Sequence, residues 1–318
     1  MPVTIYRLTT ILRAKLTGRP LALTDISDVD GIVSATLFKI KHPNALIVLA
    51  SPRDVNSSWI IKSVKWDFVA DLPCPGKARL RADHHKTNKP CAEREFYDPK
   101  APCAALMALK ALGLEGNRLA EKLVELARET DTANIRTVEA SMLDSAVKGS
   151  GYRGKIRLIE CLATRGLRCL SDEHVQVSIK RAEEVKKETM NFSAMIPVRK
   201  NTIVFFEKRR RLYYRYLSIL LEERGAEFTL LIVPRGLFGI RLYVGARPES
   251  RYDASYIASL YGGGGHKVAA GATLNYFPRG RLVKRILLET KRYLGLSELK
   301  FFIVTEKDGE IKVIEQSI

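Results

Sequence analysis

A chain of 318 residues, 46% of them hydrophobic and with a formal net charge of +18, suits two globular domains of about 100–200 residues each. It offers no run of about 18 apolar residues for a membrane span, and its leading segment is too often broken by Arg7, Arg13, Lys15 and Arg19 to be a secretory signal. Five cysteines without a Cys-x-x-Cys pair argue against a zinc site and a disulfide frame, and for a reducing, cytoplasmic compartment. The positive excess points to polyanions such as nucleic acid or to anionic membrane surfaces, with the Lys/Arg-rich surface of a heat-adapted protein as the alternative.

In chain order, the leading segment predicts a short helix, and Pro20 to Thr24 a short apolar strand. Gly31 to Lys41 reads as a helix, Ala45 to Ala50 as a buried strand and Ser58 to Val64 as a helix. Trp66 to Ala70 and Arg79 to Ala82 are further strands, followed by Asp71 and Asp83. Such alternation predicts a mostly parallel sheet with helices on both faces, and ligands gather beyond the carboxyl ends of its strands. Ala101 to Leu112 is an apolar helix. Leu119, Leu123 and Leu126 recur at helical spacing in a second one that delivers Asp131 just past its end. The charged stretch Ser171 to Phe192 reads as a connecting helix. Beyond it come the strand-like TIVFF, a helix to about Arg224, a strand pair in EFTLLIVPRG and LFGIRLYVGAR, helical DASYIASLYG, and a C-terminal hairpin around Asp308-Gly309.

Three constellations carry chemistry. The first is LTDISDVDGIVSA, residues 23–35. Asp28 and Asp30, two apart at a strand's end, can share hard divalent cations, and Gly31 permits the sharp entry into the helix. An EF-hand loop is excluded because its first and twelfth positions are Ile26 and Leu37. The bland alternative is that Asp30 caps the following helix. The second is Asp83-His84-His85, which places two of the five histidines side by side at a predicted strand end. The third is GGGGHKVAAG, residues 262–271, where glycines let backbone N–H groups approach an anion closely and His266 follows at once. A flexible linker is the alternative there.

Together, SDVDGIVSA, VADLP, ADHHKTN, ARETDTA and YGGGGHKVAAG resemble, in order, the motifs of the DHH phosphoesterase superfamily. The branch is the one with a C-terminal DHH-associated domain, of archaeal type, which includes RecJ-like exonucleases, oligoribonuclease/pAp phosphatases and cyclic-dinucleotide phosphodiesterases. The resemblance implies an α/β fold: a parallel-sheet DHH domain with helices on both faces over residues 1–184, a linker at 185–198 that ends the connecting helix, and a smaller α/β substrate-binding domain over 199–318. It implies two Mn2+ ions, with Mg2+ or Co2+ as substitutes, and hydrolysis of single-stranded DNA, RNA or short oligonucleotides by two-metal activation of water. Asp28 would bind the first ion. Asp30, His84 and Asp131 would bind the second, and Asp71 would bridge both. His85 would contact the scissile phosphate, with Asp83 supporting the site, so that Asp71, Asp83 and His85 form the catalytic set. In the second domain Arg247 would grip phosphate, while Gly263, Gly264, Gly265 and His266 hold the terminal nucleotide. Replication or repair proteins are further partners it implies, and no membrane is.

Ile26 departs from the pattern, since the family usually has His or Asp five positions before the glycine and an alkyl chain binds no cation. Asp25 is the nearby candidate, although neighbours on a regular strand face opposite ways. A weakened first ion site keeps open two alternatives to a nuclease: a pAp phosphatase or cyclic-dinucleotide phosphodiesterase, and a weakly active or inactive replication/repair binding protein. Between Met195 and Gly225, eight basic residues face three acidic ones, with tyrosines interleaved. Lys208, Arg209, Arg210, Arg211 and Tyr213 are the candidate nucleic-acid groove, against a solvated face with core tyrosines.

Overall fold

The computed structural model describes residues 3–86, 88–132, 134–236, 238–275, 279–307 and 309–318. It divides into two units, Met1–Glu183 and Glu184–Ile318. The first is built on alternation between helix and strand: α1 (Val3–Thr17), β1 (Leu21–Asp25), α2 (Val29–Lys41), β2 (Leu46–Ala50), α3 (Pro52–Ser57), α4 (Trp59–Ser63), β3 (Lys65–Ala70), β4 (Lys77–Asp83) and β5 (Ala92–Tyr97). The strands form one parallel sheet of order β2-β1-β3-β4-β5. Alternate residues of β2 leave from opposite faces. Ile47 and Leu49 join the core under α2, whereas Val48 and Ala50 join the one that contains Val55 and Ile61 of α3 and α4. Helices therefore cover both faces, as the buried apolar strands require.

Four more helices complete this unit: α5 (Ala104–Leu112), α6 (Arg118–Asp131), α7 (Val138–Gly149) and α8 (Tyr152–Arg165). They pack with α2 on one face of the sheet. A further helix, α9 (Glu173–Met195), carries the division between the units. Strand β5 and helices α3, α7 and α8 are additions to the predicted set. β5 reads AEREFY, a charged edge strand without apolar alternation. Asp131 is the last residue of α6 and does not lie beyond it, a correction of one residue.

The expectation that the cysteines form no disulfide is overturned. Cys74 and Cys91 form a disulfide across 17 residues, with Cα atoms 5.9 Å apart, while Cys103, Cys161 and Cys169 stay free and buried. The bridge joins the β3–β4 return at 71–76 to the β4–β5 return at 84–91. Neither holds a helix among its described residues. Two parallel strands with such short returns bring the two loops side by side, a proximity invisible in cysteine spacing.

The second unit is a seven-stranded mixed sheet: β6 (Asn201–Phe206), α10 (Tyr214–Glu223), β7 (Phe228–Arg235), β8 (Gly239–Ala246), α11 (Ala254–Ser259), β9 (Gly264–His266), β10 (Ala269–Asn275), α12 (Arg279–Leu294), β11 (Lys300–Lys307) and β12 (Glu310–Ser317). Its order is β12-β11-β6-β7-β8-β10-β9. β11 and β12 pair antiparallel from Lys300↔Ser317 to Lys307↔Glu310, as their alternation predicts; Asp308 of the expected turn lies outside the described residues. The glycine run is neither linker nor open loop. Gly264–His266 is a strand paired with β10, and Cβ atoms at Gly263 and Gly265 would lie 2.3 and 2.4 Å from the carbonyl oxygens of Gly271 and Ala269. Among the described residues, no helix is long and apolar enough to cross a membrane.

Candidate metal centre

In the sheet order of the first unit the chain reverses direction between β1 and β3, and the crevice beyond their carboxyl ends is where such sheets take ligands. Asp25 ends β1. Asp28 caps α2, its carboxylate accepting the Gly31 N–H at 3.3 Å. Here α2 lies so close to β1 that a Cβ at Gly31 would come within 2.3 Å of the Asp25 carbonyl oxygen. Asp30, 1% exposed, does not cap its own helix. Its two oxygens accept the N–H groups of Ala104 at 2.6 Å and Ala105 at 2.7 Å, orphan donors at the start of α5, where Cys103 provides no cap. The capping role expected for Asp30 thus falls to Asp28.

Asp71 follows β3 with φ of +58°, the one non-glycine residue in the left-handed region among the described residues. That conformation costs about 1–2 kcal/mol and is held by a bond from its N–H to the Ala82 carbonyl at 3.0 Å. Asp83, with no exposure, ends β4 and is saturated as an acceptor. It takes bonds from Arg81, from the His84 N–H at 2.9 Å, from His85 Nδ1 at 3.0 Å and from Asn88 Nδ2 at 2.7 Å. Asp83 therefore frames the two histidines.

His84 donates from Nδ1 to the Ala101 carbonyl at 3.1 Å, which fixes the ring with Nε2 on its far side. That Nε2 is buried without a hydrogen-bond partner. It lies 3.8 Å from Asp30, 3.9 Å from Asp71 and 3.7 Å from Asp131. Asp30, His84 and Asp131 form one group whose donor atoms lie within 4.8 Å of one another; Asp25, Asp28 and Asp71 form a second, and Asp71, His84 and His85 a third. Asp71 thus adjoins both histidines and the two first-loop carboxylates. A buried imidazole nitrogen aimed at three carboxylates, with no hydrogen-bond partner among the described residues, fits a divalent cation that accepts mixed oxygen and nitrogen donors.

The electrostatics agree. Burial, with the charge of Asp28, pushes Asp25 up to about 7. Burial and the neighbouring carboxylates likewise raise Asp30 and Asp71 well above the ordinary carboxylate value. Burial also raises Asp131. At Asp83 burial works upward too, but the His85 bond and the charge of Arg81 prevail and hold it low. The same bond to Asp83 raises His85, whose side chain remains 49% exposed.

Strand alternation answers the question raised by Ile26. Asp25 and Ile26 do face opposite ways, but it is Asp25 that turns toward Asp28 and Asp71, while Ile26 packs against the core. The Ile26 carbonyl accepts a bond from Lys155 Nζ. Sequence reading missed Lys155, Arg81 and Asn88. The available signal for Lys155 was its place on the buried stripe of α8, at helical spacing from Tyr152, Ile159 and Leu162. Arg81 sits in the buried run at the end of β4.

In the second unit, Arg247 is engaged by the end of α10, donating from Nε to the Glu222 carbonyl at 2.8 Å. β8 and the 267–268 turn lie together, since the Ala246 N–H donates to the Val268 carbonyl at 3.2 Å. Gly264, Gly265 and His266 are exposed on the edge strand and Gly263 is half-buried. Much of the basic segment is paired. Arg210 meets Glu306, Arg215 meets Glu222, Arg199 meets Glu315 and Lys200 meets Glu227. Tyr214 is a core residue. Lys208, Arg209 and Arg211 are exposed and, among the described residues, carry no ion pair; Tyr213 is half-buried, its N–H on Thr189 Oγ1.

No family model and no curated protein matches the sequence. Solved structures do match. A pGpG-specific phosphodiesterase, PggH from Vibrio cholerae, superposes with a TM-score of 0.59 at 19% identity, over 86% of this chain and 99% of that one. RecJ from Thermus thermophilus, in complex with Mn2+, gives 0.55 at 13% identity over 95% of this chain and 56% of its own. The DHH domain of a member of a ribosomal-protein family gives 0.54 at 15%, over 92% and 93%. At these identities the likeness is one of fold: the chain has the fold of the DHH phosphoesterases.

Proposed function

We propose that this protein is a divalent-metal-dependent phosphodiesterase that prefers Mn2+ and hydrolyses single-stranded DNA, RNA or short oligonucleotides. The observation that carries this reading is the buried, unpartnered Nε2 of His84 among Asp30, Asp71 and Asp131, beside a second group of Asp25, Asp28 and Asp71. Asp30, His84 and Asp131 would hold one ion and Asp25 and Asp28 the other, with Asp71 shared. Ions bound there would supply Lewis-acid polarisation of the phosphoryl oxygen and a water of lowered pKa. His85 is suited to meet the substrate. Asp83 anchors its Nδ1 and favours the charged ring, so the exposed edge can donate a hydrogen bond to a phosphate oxygen. In the second unit, the exposed strand edge at Gly264–His266 and the cations Lys208, Arg209 and Arg211 suit a polyanion.

A second reading, a dinucleotide-sized or pAp substrate, is favoured by the likeness to PggH over nearly all of that protein's length. The inactive-binder alternative loses its support from Ile26, because Asp25 supplies a carboxylate in its stead.

The test uses end-labelled DNA and RNA from dinucleotides upward, with pAp alongside, in Mn2+, Mg2+ or EDTA. Mn2+-dependent cleavage abolished in Asp71→Ala/His84→Ala is expected, and the shortest substrate turned over separates the two readings. Tight oligonucleotide binding without metal-dependent turnover would overturn both.

A further inference from the structure

Arg81 and Lys155 are the two buried cationic side chains among the described residues. They are treated very differently. Arg81 is neutralised by Asp83 and Glu95. Lys155, 8% exposed, has no carboxylate within ion-pairing distance, and its Nζ donates to the backbone carbonyl of Ile26. Ile26 lies between Asp25 and Asp28, two of the three carboxylates in the group that ends on Asp71. A buried ammonium is expensive unless something compensates it. Burial lowers the pKa of Lys155 from the ordinary lysine value, and the charges of Asp28 and Asp25 work against that lowering. The other group, Asp30, His84 and Asp131, contains the unpartnered imidazole nitrogen, and the cation beside it, His85, is half-exposed and already paired with Asp83.

We propose that Lys155 is a built-in cation of the Asp25–Asp28–Asp71 group, and that it makes the two ion positions unequal. Asp30–His84–Asp131 takes a divalent ion tightly. Asp25–Asp28–Asp71 takes one at least tenfold more weakly, because the arriving ion is repelled by the ammonium as well as by the first ion. Such repulsion stays substantial at the effective dielectric of a protein interior. Ile26 contributes its backbone alone: its carbonyl holds the ammonium beside the carboxylates of Asp25 and Asp28. Lys155 is a positioning residue in this scheme and touches no substrate.

The inference rests on the proposed metal-dependent function, and the experiment separates the two. Mn2+ is titrated into the metal-free, full-length protein, and free Mn2+ is followed by its six-line electron paramagnetic resonance signal. The wild type is expected to take up one tight equivalent and a second at least tenfold weaker. Lys155→Met, which keeps the apolar stem and removes the charge, should tighten the second equivalent at least tenfold and leave the first unchanged. If that variant does not fold, Lys155→Gln, which removes the charge and keeps a hydrogen-bond donor for the Ile26 carbonyl, takes its place with the same outcome expected. Two equivalents of equal affinity in the wild type, or a second equivalent unmoved in folded Lys155→Met, would overturn the role of Lys155 only. No Mn2+ uptake at any position would overturn the proposed function with it.

Discussion

The guanidinium of Arg81 and the carboxylate of Asp83, two residues apart on one face of β4, form an ion pair with no exposure to solvent. Arg81 also donates to the Leu72 carbonyl and, at 3.1 Å, to Glu95 on β5. One side chain thereby fastens the loop that carries Asp71, the signature loop and the sheet edge. Arg81→Met should destabilise the protein by about 3–5 kcal/mol, since removing one partner leaves a buried charge uncompensated. Urea denaturation checks this, and a loss below about 1 kcal/mol would mean that Asp83 finds another partner.

Acidity should stabilise the metal-free protein. Asp25 is raised from 3.8 to about 7, and Asp30 and Asp71 are raised in the same direction. The folded state therefore holds protons that the unfolded state has released. This contribution is complete below the unfolded value and is lost as pH rises through the raised one. The raised Asp25 should lower the melting temperature in EDTA as pH rises from about 4 to about 7, and Mn2+ at about 100 times its dissociation constant should restore about 2.7 kcal/mol at the higher pH. A flat EDTA profile would count against the raised carboxylates.

The bridge between Cys74 and Cys91 closes 17 residues. By loop-closure entropy it should contribute about 3 kcal/mol. Cys74→Ser/Cys91→Ser should lower the urea midpoint accordingly. Alkylation of the unfolded, unreduced wild type should label Cys103, Cys161 and Cys169 alone; labelling of all five would show that the bridge does not form.

Along the glycine run, tolerance should alternate. Gly265, with φ of +145°, has the Ala269 carbonyl oxygen 2.4 Å from where a Cβ would sit, whereas Gly264 has nothing within 4 Å. Gly264→Ala should change stability by less than about 0.5 kcal/mol, and Gly265→Ala should cost about 1–3 kcal/mol. Thermal melts of the pair decide it; equal effects would mean that β9 does not lie against β10.

The strands and carboxylates of the first half were legible because a buried parallel strand is a short apolar run, and three of these runs, β1, β3 and β4, end on or just before an aspartate. Three features escaped for distinct physical reasons. β5 is a charged edge whose apolar content is too low to signal a strand. The Cys74–Cys91 bridge depends on two helix-free returns lying side by side, a tertiary fact. Lys155 reaches Ile26 across 129 residues of chain, and no local pattern encodes such a meeting. The tyrosines of the basic segment were ambiguous at the outset, and Tyr214 went to the core, its ring stacked at 5.2 Å on Tyr243.

Asp25, Asp71, Asp83 and Asp131 come from four separate parts of the chain, and the strand ends among them meet only when β1, β3 and β4 are paired. No short segment holds either ion-sized group by itself. Of these groups, Asp30–His84–Asp131 is complete only once α6 has been made and docked, whereas Asp25–Asp28–Asp71 needs β1 and β3 alone. Small metal domains that stay unfolded without their ion work the other way round. On the function proposed above, the paired sheet would have to assemble before an ion binds, so metal shortage is expected to leave a folded protein without activity and not an unfolded one.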